Sequence, residues 1–181
     1  MTEAMSEATF GNVVLGEHCR NVHVVNELGL PLVALGMKDA AIVATPDGIL
    51  VTDKTASSYL KDYVPKQRPM YEKRLWGEYK VLDYQVSEDG ENCLTKELIV
   101  SSGKHISYQR HSHRTEIWTF VKGEGRLILD GVARQVKRGD VAYIKPGVKH
   151  AIIADTELHF IEVQVGDELT EEDIERFEWE W

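Results

Sequence analysis

No apolar run in this 181-residue chain reaches the ~18 residues that a membrane-spanning helix needs. The first ten residues, MTEAMSEATF, are acidic and lack the basic-then-apolar order of a secretory signal, so the expected location is cytoplasmic. Cysteine is scarce. Cys19 and Cys93 lie far apart without CxxC spacing, which argues for buried structural thiols in a reducing compartment and against a disulfide framework. Basic residues are in deficit, 21 Lys and Arg against 30 Asp and Glu, and the formal charge of −9 excludes a broad surface for nucleic acid or anionic membrane. An anionic ligand would therefore have to meet a local group of cations. Low-complexity segments and a recognisable internal repeat are also missing.

The rest is ordinary for a globular protein: 43% hydrophobic and 28% charged residues, in a chain long enough to bury a core without help from disulfides or a structural metal. Short apolar runs alternate with turn residues throughout. In the first third they are Asn12 to Leu15, Val22 to Val25, Pro31 to Leu35, Ala40 to Ala44 and Ile49 to Thr52, a small β-rich segment spanning residues 1–63. Asp53 reads as the N-cap of a short helix through about Tyr63, which Pro65 ends. Residues 64–72, with Pro65, Pro69 and several charges, read as a linker. From residue 73 to 181 the pattern is of many short strands at even spacing, which predicts a sandwich or closed barrel. Asp130-Gly131 between two such strands predicts a tight hairpin. The segment from Thr170 through Phe177 reads as a capped short helix, and Phe177, Trp179 and Trp181 are free to pack on the barrel or on a partner chain.

One strand concentrates chemistry. Taken with a period of two, His105, Ser107, Gln109, His111 and His113 share a face. Glu116 opens the next strand, and His150 follows the turn Pro146-Gly147-Val148-Lys149. Imidazoles from His111, His113 and His150, with the Glu116 carboxylate, would suit one divalent transition metal such as zinc, manganese, iron or cobalt. Gln109 shares the ligand face and could be a fourth ligand or a hydroxyl contact. Trp118 and Phe120 share the parity of Glu116 and read as core.

These residues resemble the two cupin motifs. His111-Ser-His113-Arg-Thr-Glu116, six residues and then Gly123, resembles the first; Gly139 through Pro146-Gly147-Val-Lys-His150 resembles the second. The gap before Glu116 is two residues where most cupins have three or four, Lys145 stands at the usual proline, and Ala154 replaces the usual asparagine. Within the cupins, three blocks narrow the resemblance to the type II mannose-6-phosphate isomerase domain. Arg74-Leu-Trp-Gly-Glu-Tyr79 is similar to R-P-W-G-x-Y, Ser107 through Trp118 to S-L-Q-M-H-H-H-R-A-E-H-W, and Ile161-Glu162-Val-Gln164-Val-Gly166-Asp to I-E-V-Q-x-G-D. Leu75 and Ser112 depart from those patterns. Gly11-Asn-Val-Val-Leu-Gly and Val43 through Asp53 resemble the segment that precedes this domain in two-activity mannose-1-phosphate guanylyltransferases. No G-x-G-T-R-L phosphate loop occurs, so guanylyl transfer is not expected from this chain alone.

The resemblance implies a mainly β cupin barrel, a double-stranded β-helix, after a small β-rich segment, working as a homodimer. It implies interconversion of mannose 6-phosphate and fructose 6-phosphate, with a metal polarising the sugar oxygens and a base moving a proton beside the carbonyl. His105, Glu116 and Glu162 are the candidate bases. Arg74, Gln109, Arg114, Lys145 and Gln164 are the candidate contacts to sugar or phosphate. A non-catalytic sugar-phosphate module, an accessory to a separate guanylyltransferase, and another metal-dependent sugar isomerase or dioxygenase are the alternatives.

Overall fold

A computed structural model describes residues 7–63 and 68–180. The expectations for the chain start, for 64–67 of the linker and for Trp181 lie outside the described residues. The chain divides into two compact units, Met1–Pro69 and Met70–Trp181. Tyr71 and Glu72, assigned above to the linker, already belong to the first strand of the second unit.

The first unit carries strands β1 (Thr9–Phe10), β2 (Val13–Leu15), β3 (His23–Asn26), β4 (Leu32–Ala34), β5 (Ala40–Thr45) and β6 (Gly48–Asp53). Its pairings are mostly parallel: β1 with β3, β3 with β5, and β2 with β4. His23 stands beside Ala41, Val13 beside Leu32 and Arg20 beside Lys38, so the chain winds in coils of about 18 residues. This is a repeat that the letters conceal. Val22 and Val24 recur as Ala40 and Ile42 one coil later, and all four are buried in the core of the unit. Asn21 and Asp39, at matching corners with φ of 55° and 48°, are joined by a 2.7 Å side-chain hydrogen bond. Such corners suit Asn and Asp, which tolerate the left-handed region best after glycine. The helix expected from Asp53 is a 3₁₀ turn over Ser57–Asp62 that buries no residue, so no packing supports a longer helix.

The second unit carries β7 (Tyr71–Arg74), β8 (Gly77–Gln85), β9 (Asn92–Val100), β10 (His105–Arg110), β11 (Arg114–Lys122), β12 (Glu124–Leu129), β13 (Val132–Lys137), β14 (Val141–Ile144), β15 (His150–Ala154), β16 (Leu158–Gly166) and β17 (Glu175–Arg176). They form a six-stranded sheet in the order β14-β11-β16-β9-β8-β7 and a five-stranded sheet in the order β13-β12-β15-β10-β17. From β10 to β16 the chain passes repeatedly from one sheet to the other, which is the double-stranded β-helix expected. Period-two alternation builds the core, with Leu94, Trp118, Phe120, Leu127, Ile152, Leu158 and Phe160 almost wholly buried. Asp130 and Gly131 take φ of 45° and 82°, the two positive values of the tight hairpin that joins β12 to β13.

The C-terminal helix is corrected. Only Glu171–Asp173 forms a 3₁₀ turn, and β17 then pairs with β10. Phe177 and Trp179 pack with Tyr108, Ile128 and Ala151. Two aromatics at i and i+2 reach one surface from an extended chain, which a helix would have separated.

Candidate metal centre

His111, Glu116 and His150 are brought together, their ligand atoms all within 4.8 Å of one another, and all three are buried. His111 Nε2 lies 3.2 Å from Glu116 Oε1, and His150 Nε2 lies 3.4 Å from Glu116 Oε2. Each ring has its other nitrogen on a backbone carbonyl, His111 Nδ1 at 3.1 Å from Asp173 O and His150 Nδ1 at 3.0 Å from Val148 O. A carbonyl only accepts, so both rings carry Nδ1–H and turn Nε2 toward the carboxylate. Burial works to lower the His150 imidazole, but Glu116 outweighs it and holds the ring above its ordinary value. His150 Nε2 is buried without a hydrogen-bond partner. A buried, unpartnered imidazole nitrogen facing a carboxylate is a place for a cation, and two imidazoles with a carboxylate fit a divalent transition metal.

His113 does not join them. The strand ends at Arg110 and residues 111–113 form a turn, so the two-residue alternation assumed for the whole run fails at the ligand itself. His113 is half exposed, and its Nδ1 lies 3.3 Å from Asp167 Oδ1. Gln109, read above as a fourth ligand or a hydroxyl contact, stands on β10 two residues before His111. It is buried, and its side-chain amide lies 3.5 Å from His111 Nε2. The side-chain O and N are interchangeable by a flip of the amide, which would point the oxygen at the same atom. Counted from Gln109-x-His111, the gap to Glu116 is four residues, the ordinary cupin spacing.

Glu116 is held by Arg114 Nε at 2.9 Å and Trp118 Nε1 at 3.1 Å. Burial works to raise its carboxyl, but His150, then His111 and Arg114, outweigh it and hold it well below the usual carboxylate range. Burial pushes the His111 imidazole down to about 4, so the ring is neutral and its Nε2 accepts from Arg114 Nη2 at 3.2 Å. Arg114 is itself buried, spent on Glu116 and on Thr170 O at 3.0 Å. That leaves it committed inside the protein rather than offered to a phosphate.

A cavity of about 300 Å³ adjoins Glu116. Of the residues anticipated, Arg74, His105, Gln109, Arg114, Glu162 and Gln164 line it. Lys145 does not; it is exposed on the turn before His150. Glu162 and Gln164 project inward from β16, joined by a 3.0 Å hydrogen bond from the amide, while Trp118 Nε1 reaches Glu162 at 3.2 Å. Burial and the neighbouring Glu116 charge push the Glu162 carboxyl up to about 7, against the pull of Lys96 and Arg114.

Two lining cations escaped the sequence reading. Lys96 is buried opposite Glu162 across the β9–β16 pair, its Nζ 4.8 Å from the centre of the Tyr79 ring. Arg176 reaches the cavity from the C-terminal segment. Lys96 stands in an alternating strand of Leu94, Leu98 and Val100, and a charge at a core-facing position was the signal available.

A family model described as mannose-6-phosphate isomerase C-terminal matches residues 64–179. The chain belongs to this family. The mannose-6-phosphate isomerase C-terminal family thus covers the whole of the double-stranded β-helix and every residue of the centre described above. Among similar curated proteins are a mannose-1-phosphate guanylyltransferase of Salmonella montevideo, 33% identical, and one of Escherichia coli K12, 30% identical. The matches cover 92% and 97% of this chain but 37% and 38% of those relatives. The chain therefore spans a little over a third of their length. Solved structures similar in fold include an RmlC-like cupin from Shewanella frigidimarina, 18% identical with a TM-score of 0.45, covering 52% of this chain and 81% of that one. A protein described as a predicted oxalate decarboxylase from Thermotoga maritima is 24% identical with a TM-score of 0.43, covering 50% and 82%.

Proposed function

We propose that this chain is a metal-dependent aldose–ketose isomerase that interconverts mannose 6-phosphate and fructose 6-phosphate. One observation carries the reading: a buried His111–Glu116–His150 group with an unpartnered imidazole nitrogen shares Glu116 with a cavity that also holds a raised carboxyl, Glu162. Family membership supports this choice of reaction class.

In this proposal His111, His150 and Glu116 hold the ion, with Gln109 as a fourth donor. A divalent ion there supplies a Lewis acid for the carbonyl and hydroxyl oxygens of the sugar. Glu162 is the base. A carboxyl near 7 is poised to take a proton from the carbon beside the carbonyl and return it to the neighbouring carbon. His105, which also lines the cavity, is held below the usual imidazole range by burial and by Lys104, so it is neutral and serves as a hydrogen-bond partner to a hydroxyl. Lys96, Arg74 and Arg176 give the cavity local positive charge within an acidic chain, as an anionic sugar phosphate requires. Arg74 is already paired with Glu72 at 2.7 Å, which leaves Lys96 and Arg176 as the stronger phosphate contacts. The guanylyltransferase activity named in the relatives is not part of this proposal.

The test is a coupled assay with mannose 6-phosphate, with and without chelator. Turnover that chelator removes and added metal restores, and that His111→Ala abolishes, is the expected result. Turnover indifferent to chelator would refute the metal mechanism, and tight binding of the sugar phosphate without turnover would replace the enzyme with a binding module.

A further inference from the structure

The C-terminal segment does more than close the barrel. Asp173 touches each residue of the turn that carries His111. Its backbone oxygen faces His111 Nδ1 at 3.1 Å. One carboxylate oxygen accepts from Ser112 N at 2.8 Å, and the other accepts from His113 N at 3.2 Å. The second oxygen also lies 3.5 Å from Arg114 Nη1, and the Asp173 side chain is only 4% exposed. A buried carboxylate taking two main-chain N–H groups from one three-residue turn fixes the path of that turn.

The segment is anchored on both sides of Asp173. Upstream, Thr170 O accepts from Arg114 Nη1 at 3.0 Å. Downstream, β17 pairs Arg176 with Gln109, and Phe177 N donates to Tyr108 O at 2.8 Å. Phe177 and Trp179 sit on Tyr108, with ring centres 6.2 and 4.8 Å away, and Lys149 Nζ lies 3.9 Å over the Phe177 ring. A strap fastened this way holds Asp173 still, and a fixed Asp173 holds the imidazole.

We propose that Asp173 is a positioning residue of the metal centre: its backbone oxygen selects the Nδ1–H form of His111, and its carboxylate fixes the turn that aims Nε2 at the ion. This rests on the reading of His111, Glu116 and His150 as metal ligands. Asp173 acts on the ligand and not on the substrate, so its removal is expected to change metal affinity ahead of any other property.

The experiment uses the full chain. Co²⁺ is titrated optically into wild type, Asp173→Ala and Asp173→Asn, with thermal melting alongside and nitrogen-15 NMR of the His111 ring in metal-free protein. Wild type is expected to show the Nδ1–H tautomer. Asp173→Ala is expected to lose about 10- to 100-fold in Co²⁺ affinity, the usual effect of removing a group that orients a ligand, while its main-chain oxygen stays and keeps the Nδ1–H tautomer. Asp173→Asn keeps one acceptor oxygen and should fall between; it decides the matter if the alanine variant does not fold. Leu127→Val, a core change away from the turn, should lower the melting temperature yet keep Co²⁺ affinity within roughly threefold. Wild-type uptake with undiminished uptake by both Asp173 variants, or an Nε2–H tautomer in wild type, would overturn this proposal alone. A wild type that takes up no Co²⁺ would overturn the metal reading and this proposal with it.

Discussion

Glu116 and Glu162 sit on neighbouring strands with side chains in the same interior, yet their surroundings drive them apart. Glu116 is surrounded by two imidazoles and Arg114 and stays ionised, while Glu162 has the weaker pull of Lys96 and is pushed up to about 7. One carboxylate is suited to hold a cation and the other to exchange a proton. Glu162 is protonated below that value and a base above it, so turnover is expected to rise with pH through an acid limb near 7. Glu162→Gln should lower kcat by roughly 10²- to 10⁴-fold and leave Co²⁺ binding intact, which steady-state kinetics and titration would separate. The same shift carries a stability sign. A folded-state value above the ordinary 4.5 favours the neutral carboxyl in the fold, so its contribution is fully present below 4.5 and is lost as pH rises through about 7. Melting curves of metal-free wild type and Glu162→Gln should therefore diverge above neutral pH and converge in acid. Lys96→Met keeps the length of the side chain and removes the charge. It is expected to raise KM for the sugar phosphate about 10- to 100-fold, the worth of a lost charged hydrogen bond of about 1.5–3 kcal/mol, and an unchanged KM would remove Lys96 from the phosphate contacts.

Among the elements, the turn at residues 111–113 decides which histidine faces Glu116. His113→Ala is expected to keep Co²⁺ affinity within roughly threefold, while Gln109→Ala and His150→Ala lose at least tenfold. An equal loss in His113→Ala would restore the simple HxH reading. The motifs themselves were legible: the strand, the acid three residues after His113, and His150 behind Pro146-Gly147 all follow from spacing. What spacing left open was where β10 stops, because that depends on Asp173, 60 residues away in sequence, drawing the His113 N–H into its carboxylate. Gly166 shows the same dependence from the other side. A Cβ there would stand 2.0 Å from His113 O and 2.9 Å from the Arg114 Cα. Gly166→Ala must displace the backbone that sets the ligand turn, and is expected to cost about 1–3 kcal/mol in thermal unfolding and to weaken metal binding with it.

Across the whole molecule, each unit has a hydrophobic core of its own, one around Val24 and Ile42 and the other around Trp118, Phe120 and Phe160. Every residue assigned to the centre and its cavity lies in the second unit. A fragment of residues 70–181 is therefore expected to melt cooperatively by itself and to bind Co²⁺ within roughly threefold of the full chain, as an independently folding domain should. Failure to fold would mean that the first unit supplies stability the second lacks. Among the described residues no helix is long and apolar enough to cross a membrane.

The sequence by itself pointed to short strands in both units, the Asp130-Gly131 hairpin, a sandwich or closed barrel, and His111, His113, His150 and Glu116 as the group to watch. Those follow from alternation, turn chemistry and motif spacing, which act over a few residues. Tertiary structure decided the rest. The first unit winds into stacked coils because Val22 and Val24 meet Ala40 and Ile42, a match of burial rather than of letters. The expected C-terminal helix became a strap because Phe177 and Trp179 find one surface at Tyr108. His113 turned outward, Arg114 was drawn to Thr170 O, and Lys96 entered the cavity, each settled by a partner distant in the chain. A ligand is chosen by what holds its backbone and its second nitrogen, and those contacts exist only once the barrel has closed.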